Sequence, residues 1–253
     1  MAMTSAATLP LSGRAALVTG GSRGIGAAVA RRLAADGADV ALTYVDAKER
    51  AAEVAADLRA LGRRALAVRA DSASATDPVA AVHRTMREFG RLDILVNNAG
   101  IFPNGPLEDL TLEEIDRTLA IHVRAALLAA QAAAAHMTSG GRVVTIGSNL
   151  AERVPRPGIT LYAASKSALG GLTRGLARDL GARGITANLI QPGSTDTEMN
   201  PADGSRADGQ RALTALGRYG TPEGIAAMVA HLAGPEAAGI TGSVFTVDAG
   251  ANA

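Results

Sequence analysis

The chain has 253 residues, with 25 Lys and Arg against 24 Asp and Glu for a formal net charge of +1, no Cys, no Trp, three Tyr and three Phe. With 47% apolar and 19% charged residues it carries too much aliphatic side chain to stay disordered. Balanced charge and 2% aromatic content argue against a nucleic-acid partner held by a basic surface or by base stacking. The lack of Cys excludes disulfides, thiolate nucleophiles and thiolate metal sites.

The length suits one large α/β domain, expected over residues 13–253 behind a short flexible arm at 1–12 that has no Lys, no Arg and no signal-length apolar run. No stretch approaches the roughly 18 apolar residues of a membrane span, so a soluble, cytoplasmic protein is the default expectation. In chain order, a first strand is expected at Ala15–Thr19, then a helix striped by Ile25, Val29 and Leu33 and broken at Asp36-Gly37. A strand at Val40–Val45 precedes a helix marked by Val54, Leu58 and Leu61. Strands at Ala65–Ala70 and Ile94–Asn97 follow, then Arg142–Gly147 after the break at Ser139-Gly140-Gly141. A long helical pattern covers Leu161–Leu180, and strand Thr186–Ile190 follows the break at Arg183-Gly184. Residues 194–220 are rich in Gly, Asp, Ser, Arg and Thr, with a weak helical pattern at Arg211–Leu216, and read either as a mobile lid or as a surface loop. A helix striped by Ile225, Val229 and Leu232 and a strand at Ser243–Val247 close the chain. Alternating apolar strands and helices imply a parallel sheet covered on both faces, a doubly wound α/β fold.

The first strand runs into Thr19-Gly20-Gly21-Ser22-Arg23-Gly24-Ile25-Gly26. Glycines let a backbone approach a pyrophosphate, and the helix beginning near Gly24 aims its free N–H groups at it, so the turn points to a dinucleotide. The end of the second strand offers Tyr44 where an acid would hold the ribose hydroxyls, and Arg23 can pair with a 2′-phosphate. This favours NADP(H) over NAD(H), with Asp46 the opposing signal. Tyr162 and Lys166 stand i, i+4 on one helix face, where an ammonium lowers a phenol pKa and makes it a general acid or base. Ser148, read as ending a strand 14 positions upstream of Tyr162, supplies a hydroxyl able to polarise a carbonyl.

With Asp71 after the third strand, Asn97-Asn98-Ala99-Gly100, Pro192-Gly193 with Thr197, and Ile240-Thr241-Gly242 before Val247-Asp248, the chain resembles the classical short-chain dehydrogenase/reductase family over residues 12–250. The resemblance is to members such as the 3-oxoacyl-(acyl-carrier-protein) reductases. It implies a Rossmann-type domain and NAD(P)(H) held by Gly20–Gly26, with Asp71 and Ser72 at the adenine. It further implies Asn98, Ala99 and Gly100 along the cleft, Lys166 on the nicotinamide ribose, and Pro192, Gly193, Thr195 and Thr197 beside the nicotinamide. Ser148 then orients a carbonyl and Tyr162 exchanges the proton, while Asn97 supports the sheet.

One position departs from the family: His122 stands where an Asn usually helps hold a water linked to the catalytic Lys. It either takes over that proton relay or is a structural histidine. His83, His136 and His231 lack ligand spacing and read as surface residues, and no metal motif is present. Arg153 and Arg156, between Ser148 and Tyr162, either recognise an anionic substrate group or are solvated. The leading expectation is an NADPH-dependent reductase of ketones or 3-oxoacyl groups; the alternative is an NADP(H)-binding sensor with little catalysis. Small-residue runs at Leu127–Ala135 and Ala163–Gly171, with the family resemblance, suggest a homotetramer.

Overall fold

The computed structural model describes residues 9–253. The elements run β1 (Ala15–Val18), α1 (Gly24–Ala35), β2 (Asp39–Tyr44), α2 (Lys48–Ala60), β3 (Ala65–Arg69), α3 (Asp77–Phe89), β4 (Ile94–Asn97), α4 (Leu112–Leu119), α5 (Ala125–Ala134), β5 (Arg142–Ile146), α6 (Thr160–Gly181), β6 (Thr186–Pro192), α7 (Ala207–Ala212), α8 (Pro222–Ala233) and β7 (Val244–Val247). All neighbouring strands pair in parallel, in the order β3-β2-β1-β4-β5-β6-β7. Strands buried at every residue, as β1, β4, β5 and β6 are, need cover on both faces. Val29, Leu33, Val54, Leu58, Val229 and Leu232 from α1, α2 and α8 pack one face. Val82, Phe89, Ala130, Ala133, Leu176 and Leu180 from α3, α5 and α6 pack the other.

The chain winds outward from β1 to β3, then crosses back to lay β4 against the other side of β1. That reversal opens a crevice at the carboxyl ends of β1 and β4, where doubly wound folds bind their ligands. The loops there are tied together: the Asn98 N–H donates to Thr19 Oγ1 at 2.9 Å, and its side-chain amide donates to the Thr19 carbonyl at 2.8 Å. Local signals set the helix ends. Pro78 stands in the first turn of α3, which stops at Gly90 with φ +74°; Thr111 and Glu114 form a capping box on α4.

Several expectations are corrected. Of the arm expected at 1–12, residues 1–8 lie outside the described residues, and its later part is not loose: Leu11 is fully buried in the core and its N–H donates to the Asp36 carbonyl at 2.8 Å. Leu61 caps the end of α2 and is exposed, because the helix stops before it can turn inward. The strand β5 ends at Ile146, so Ser148 lies beyond it, opening a single 3₁₀ turn at Asn149–Ala151. Within residues 194–220 the helix is α7, earlier than the pattern at Arg211–Leu216, and a Thr195–Gly220 bridge closes the segment at its base.

Candidate active site

One cleft of about 910 Å³ runs along the carboxyl ends of the strands. It is lined by Asp71 and Ser72 at one end, then by Gly20, Ser22, Arg23, Gly24, Ile25 and Gly26, Tyr44 and Asn98–Gly100, and by Pro192, Gly193, Thr195 and Thr197; Gly21 of the turn does not line it. The glycine turn is built for backbone approach. Gly20 and Gly24 take φ of +65° and +51°, which side chains strain to adopt. A Cβ on Gly26 would collide with the Gly20 carbonyl and lie 2.5 Å from the Asn98 amide. No side chain caps the start of α1, leaving its first N–H groups to face an anion. These features fit a dinucleotide pyrophosphate. Gly26→Ala is expected to lose about 1–3 kcal/mol of stability and most dinucleotide affinity, measured by urea midpoint and NADPH titration; unchanged binding would contradict the cradle.

At the other end, β5 delivers Ser148 and the first two turns of α6 deliver Tyr162 and Lys166 into the same cleft. The Ser148 hydroxyl accepts from the Leu150 N–H at 3.2 Å, which fixes its rotamer. Lys166 is buried; its ammonium donates to the Ile146 carbonyl at 3.1 Å and stands 5.8 Å from the Tyr162 ring centroid. The expected lowering of the phenol pKa by Lys166 is not what the surroundings produce. Burial pushes the Tyr162 phenol up, and the Ser148 hydroxyl beside it is the opposing influence. Burial also pushes Lys166 down, to about 8. At neutral pH the phenol is therefore protonated, the state from which it gives a proton away.

His122 does not line the cleft. It is buried in a π-helical turn, Ala120–Arg124, that joins α4 to α5. Such turns carry an extra residue and re-aim a side chain. Its Nε2 accepts from the Ile101 N–H at 3.0 Å. The Ser165 hydroxyl donates to the Tyr162 carbonyl at 2.7 Å, so the 2.8 Å contact between His122 Nδ1 and Ser165 Oγ has Nδ1–H as donor. Both ring nitrogens are thus used inside the protein, and neither is open to the water that a relay through the ring requires. Burial, with Lys166 nearby, pushes His122 down to about 3, so the ring is neutral at physiological pH.

The remaining residues sort clearly. Asn97 is buried and its amide donates to the Ala126 carbonyl at 3.5 Å, away from the cleft. His83, His136 and His231 are exposed. Arg23 lines the cleft and pairs with Glu198 at 3.6 Å; Asp46 lines it too. Tyr219 is buried behind the wall formed by residues 194–220, with Arg211 over its ring at 5.5 Å. Sequence reasoning missed Phe102, whose ring meets Tyr162 edge-on at 4.7 Å, although one of only three Phe directly after Asn98–Ile101 was a usable signal. It also missed Ala251 and Asn252, brought to the cleft by Asp248, which accepts from the Asn252 N–H at 3.0 Å.

Known proteins share this architecture over nearly all of the chain. A family model described as enoyl-(acyl carrier protein) reductase, of the short-chain dehydrogenase type, matches residues 20–252. A short-chain dehydrogenase from Burkholderia cenocepacia J2315, solved in complex with NADP, is 60% identical with a TM-score of 0.96, covering 96% of this chain and 100% of that one. A blue fluorescent protein from a metagenomic library, solved with NADPH, is 56% identical with a TM-score of 0.95 and the same coverage. The cyclic-di-GMP-binding biofilm dispersal mediator protein of Escherichia coli K12 is 47% identical over 237 residues, 94% of this chain and 96% of the relative. The chain belongs to the short-chain dehydrogenase/reductase family, as an NAD(P)-dependent oxidoreductase.

Proposed function

We propose that the protein is an NADPH-dependent carbonyl reductase in which Ser148 orients the carbonyl oxygen, Tyr162 gives it a proton and Lys166 stabilises the phenolate left behind. The observation that carries this reading is the convergence of Ser148, a protonated Tyr162 and a buried Lys166 on the cleft that the glycine turn shares. A bound nicotinamide dinucleotide supplies the hydride. Arg23, with no acid at the end of β2, supports NADP(H) over NAD(H), as do the NADP(H) complexes of the relatives. Paired assays with NADPH and NADH over a panel of ketones, 3-oxoesters and quinones test it: NADPH oxidation at higher kcat/KM is expected, and no turnover across the panel would sink it. Lys166 must be charged to hold the phenolate, so kcat for reduction should fall as pH rises through about 8; a flat profile to pH 10 would contradict that role.

A second reading, an NADP(H)-binding sensor with little catalysis, is favoured by the E. coli relative, which is named for binding cyclic di-GMP and mediating biofilm dispersal. Tight NADPH binding without turnover would select it. We place the protein in the cytoplasm: among the described residues no helix is long and apolar enough to cross a membrane. A homotetramer is supported by α6, whose exposed face carries Ala164, Ala168, Gly171 and Gly175, and by the exposed Leu127 on α5. Light scattering should return four chain masses; one chain mass would refute the assembly.

A further inference from the structure

The charges lining the cleft are segregated. Its three carboxylates, Asp46, Asp71 and Glu198, belong to the dinucleotide half; Glu198 pairs with Arg23 of the glycine turn and with Arg50 on α2. The connection between Ser148 and Tyr162, α4 and residues 199–213 line the cleft with Arg117, Arg153, Arg156 and Arg206 and with no carboxylate. These four come from separate walls: Arg117 from α4, Arg153 and Arg156 from the connection between Ser148 and Tyr162, and Arg206 from the turn entering α7. A run of cations along one helix is an ordinary solvated face, but four cations facing one concavity from three walls are not explained that way. General basicity does not explain them either, since the chain's net charge is only +1.

Arg23, the other arginine of the cleft, pairs with Glu198, whereas none of the four forms an ion pair among the described residues. Two of the four are held by backbone: Arg153 donates to the Ala251 carbonyl, and Arg156 donates to the Pro157 carbonyl at 3.2 Å. A guanidinium has five N–H donors in a planar fork, so these single bonds orient the groups and leave donors for a ligand. A concave site with one sign of charge concentrates the opposite charge within it.

We propose that the substrate half is an anion subsite and that the preferred substrates are oxo compounds carrying a carboxylate or phosphate beyond the reacting carbonyl. This rests on the carbonyl reductase reading above. The test compares 4-oxopentanoate, 5-oxohexanoate and 4-acetylbenzoate with their methyl esters, using NADPH, at low salt and in 0.5 M NaCl. For at least one pair, kcat/KM for the acid should exceed that for the ester about tenfold, chiefly through KM. The ratio should shrink at high salt and approach one in the combined Arg117→Gln, Arg153→Gln, Arg156→Gln, Arg206→Gln variant. Esters equal to or better than acids in every pair, or a ratio untouched by the four substitutions, would overturn the proposal. If no carbonyl is reduced, the reductase reading fails. The subsite is then judged by 4-acetylbenzoate and its ester displacing or quenching bound NADPH fluorescence: saturable binding of the acid alone supports it, and equal or absent binding overturns it.

Discussion

Tyr162→Phe is expected to lower kcat by about 10²–10⁴-fold while NADPH binds as tightly as before. The substitution removes one hydroxyl and keeps the ring that packs edge-on with Phe102 and His122, so the packing around α6 survives. What is lost is the only phenol in the cleft near Ser148; the other phenol lining it, Tyr44, closes β2 at the dinucleotide end. Burial favours the protonated phenol, so the wild-type group has its proton available at neutral pH and the variant has none to give. Steady-state rates with any accepted ketone, beside an NADPH fluorescence titration, separate the two effects. Retained turnover would remove Tyr162 from the proton step.

The second large effect concerns acid stability. His122 is neutral in the fold and pushed down to about 3 from 6.5, so the unfolded chain takes up a proton that the native state refuses. A base with a lowered folded pKa leaves stability intact above its unfolded value. Stability then falls as pH drops from about 6.5 toward 3, by on the order of 4 kcal/mol at the lower end. His122→Asn should abolish that slope in urea unfolding measured from pH 7 to 4. It should also lose about 1–3 kcal/mol at pH 7 if Asn cannot satisfy both the Ile101 N–H and the Ser165 hydroxyl. The same variant distinguishes the two roles of this residue. A relay histidine that takes up and releases a proton imposes a kcat inflection that vanishes on substitution, whereas a neutral positioning residue with a fixed tautomer imposes none.

The fold was legible because its strands are short aliphatic runs between glycine breaks; every expected strand is present within two residues of its expected ends. The dinucleotide end was legible for a related reason, since the cradle is made from contiguous residues, Gly20–Gly26 and Asn98–Gly100, set by two adjacent loops. What sequence could not show depends on distant contacts. Asn252 is held at the cleft by Asp248 and also by the carbonyl of Asn149, 103 positions away, which accepts from its side-chain amide at 2.8 Å. The burial of Leu11 needs α1 already in place, and spacing alone reads it as arm. The π turn at Ala120–Arg124 leaves no trace in the apolar periodicity, yet it buries His122 against Ser165. The phenol pKa went the other way from the Tyr–Lys spacing because that spacing reports proximity, not how much water is removed.

The most direct test of the central claim is single-substrate stoichiometry: NADPH consumed against alcohol formed, for the best ketone of the panel, in wild type and Tyr162→Phe. One alcohol per NADPH in the wild type, with both fluxes lost together in the variant while NADPH remains bound, is the predicted result. NADPH bound but never oxidised by any carbonyl, or oxidised equally in the variant, would contradict it.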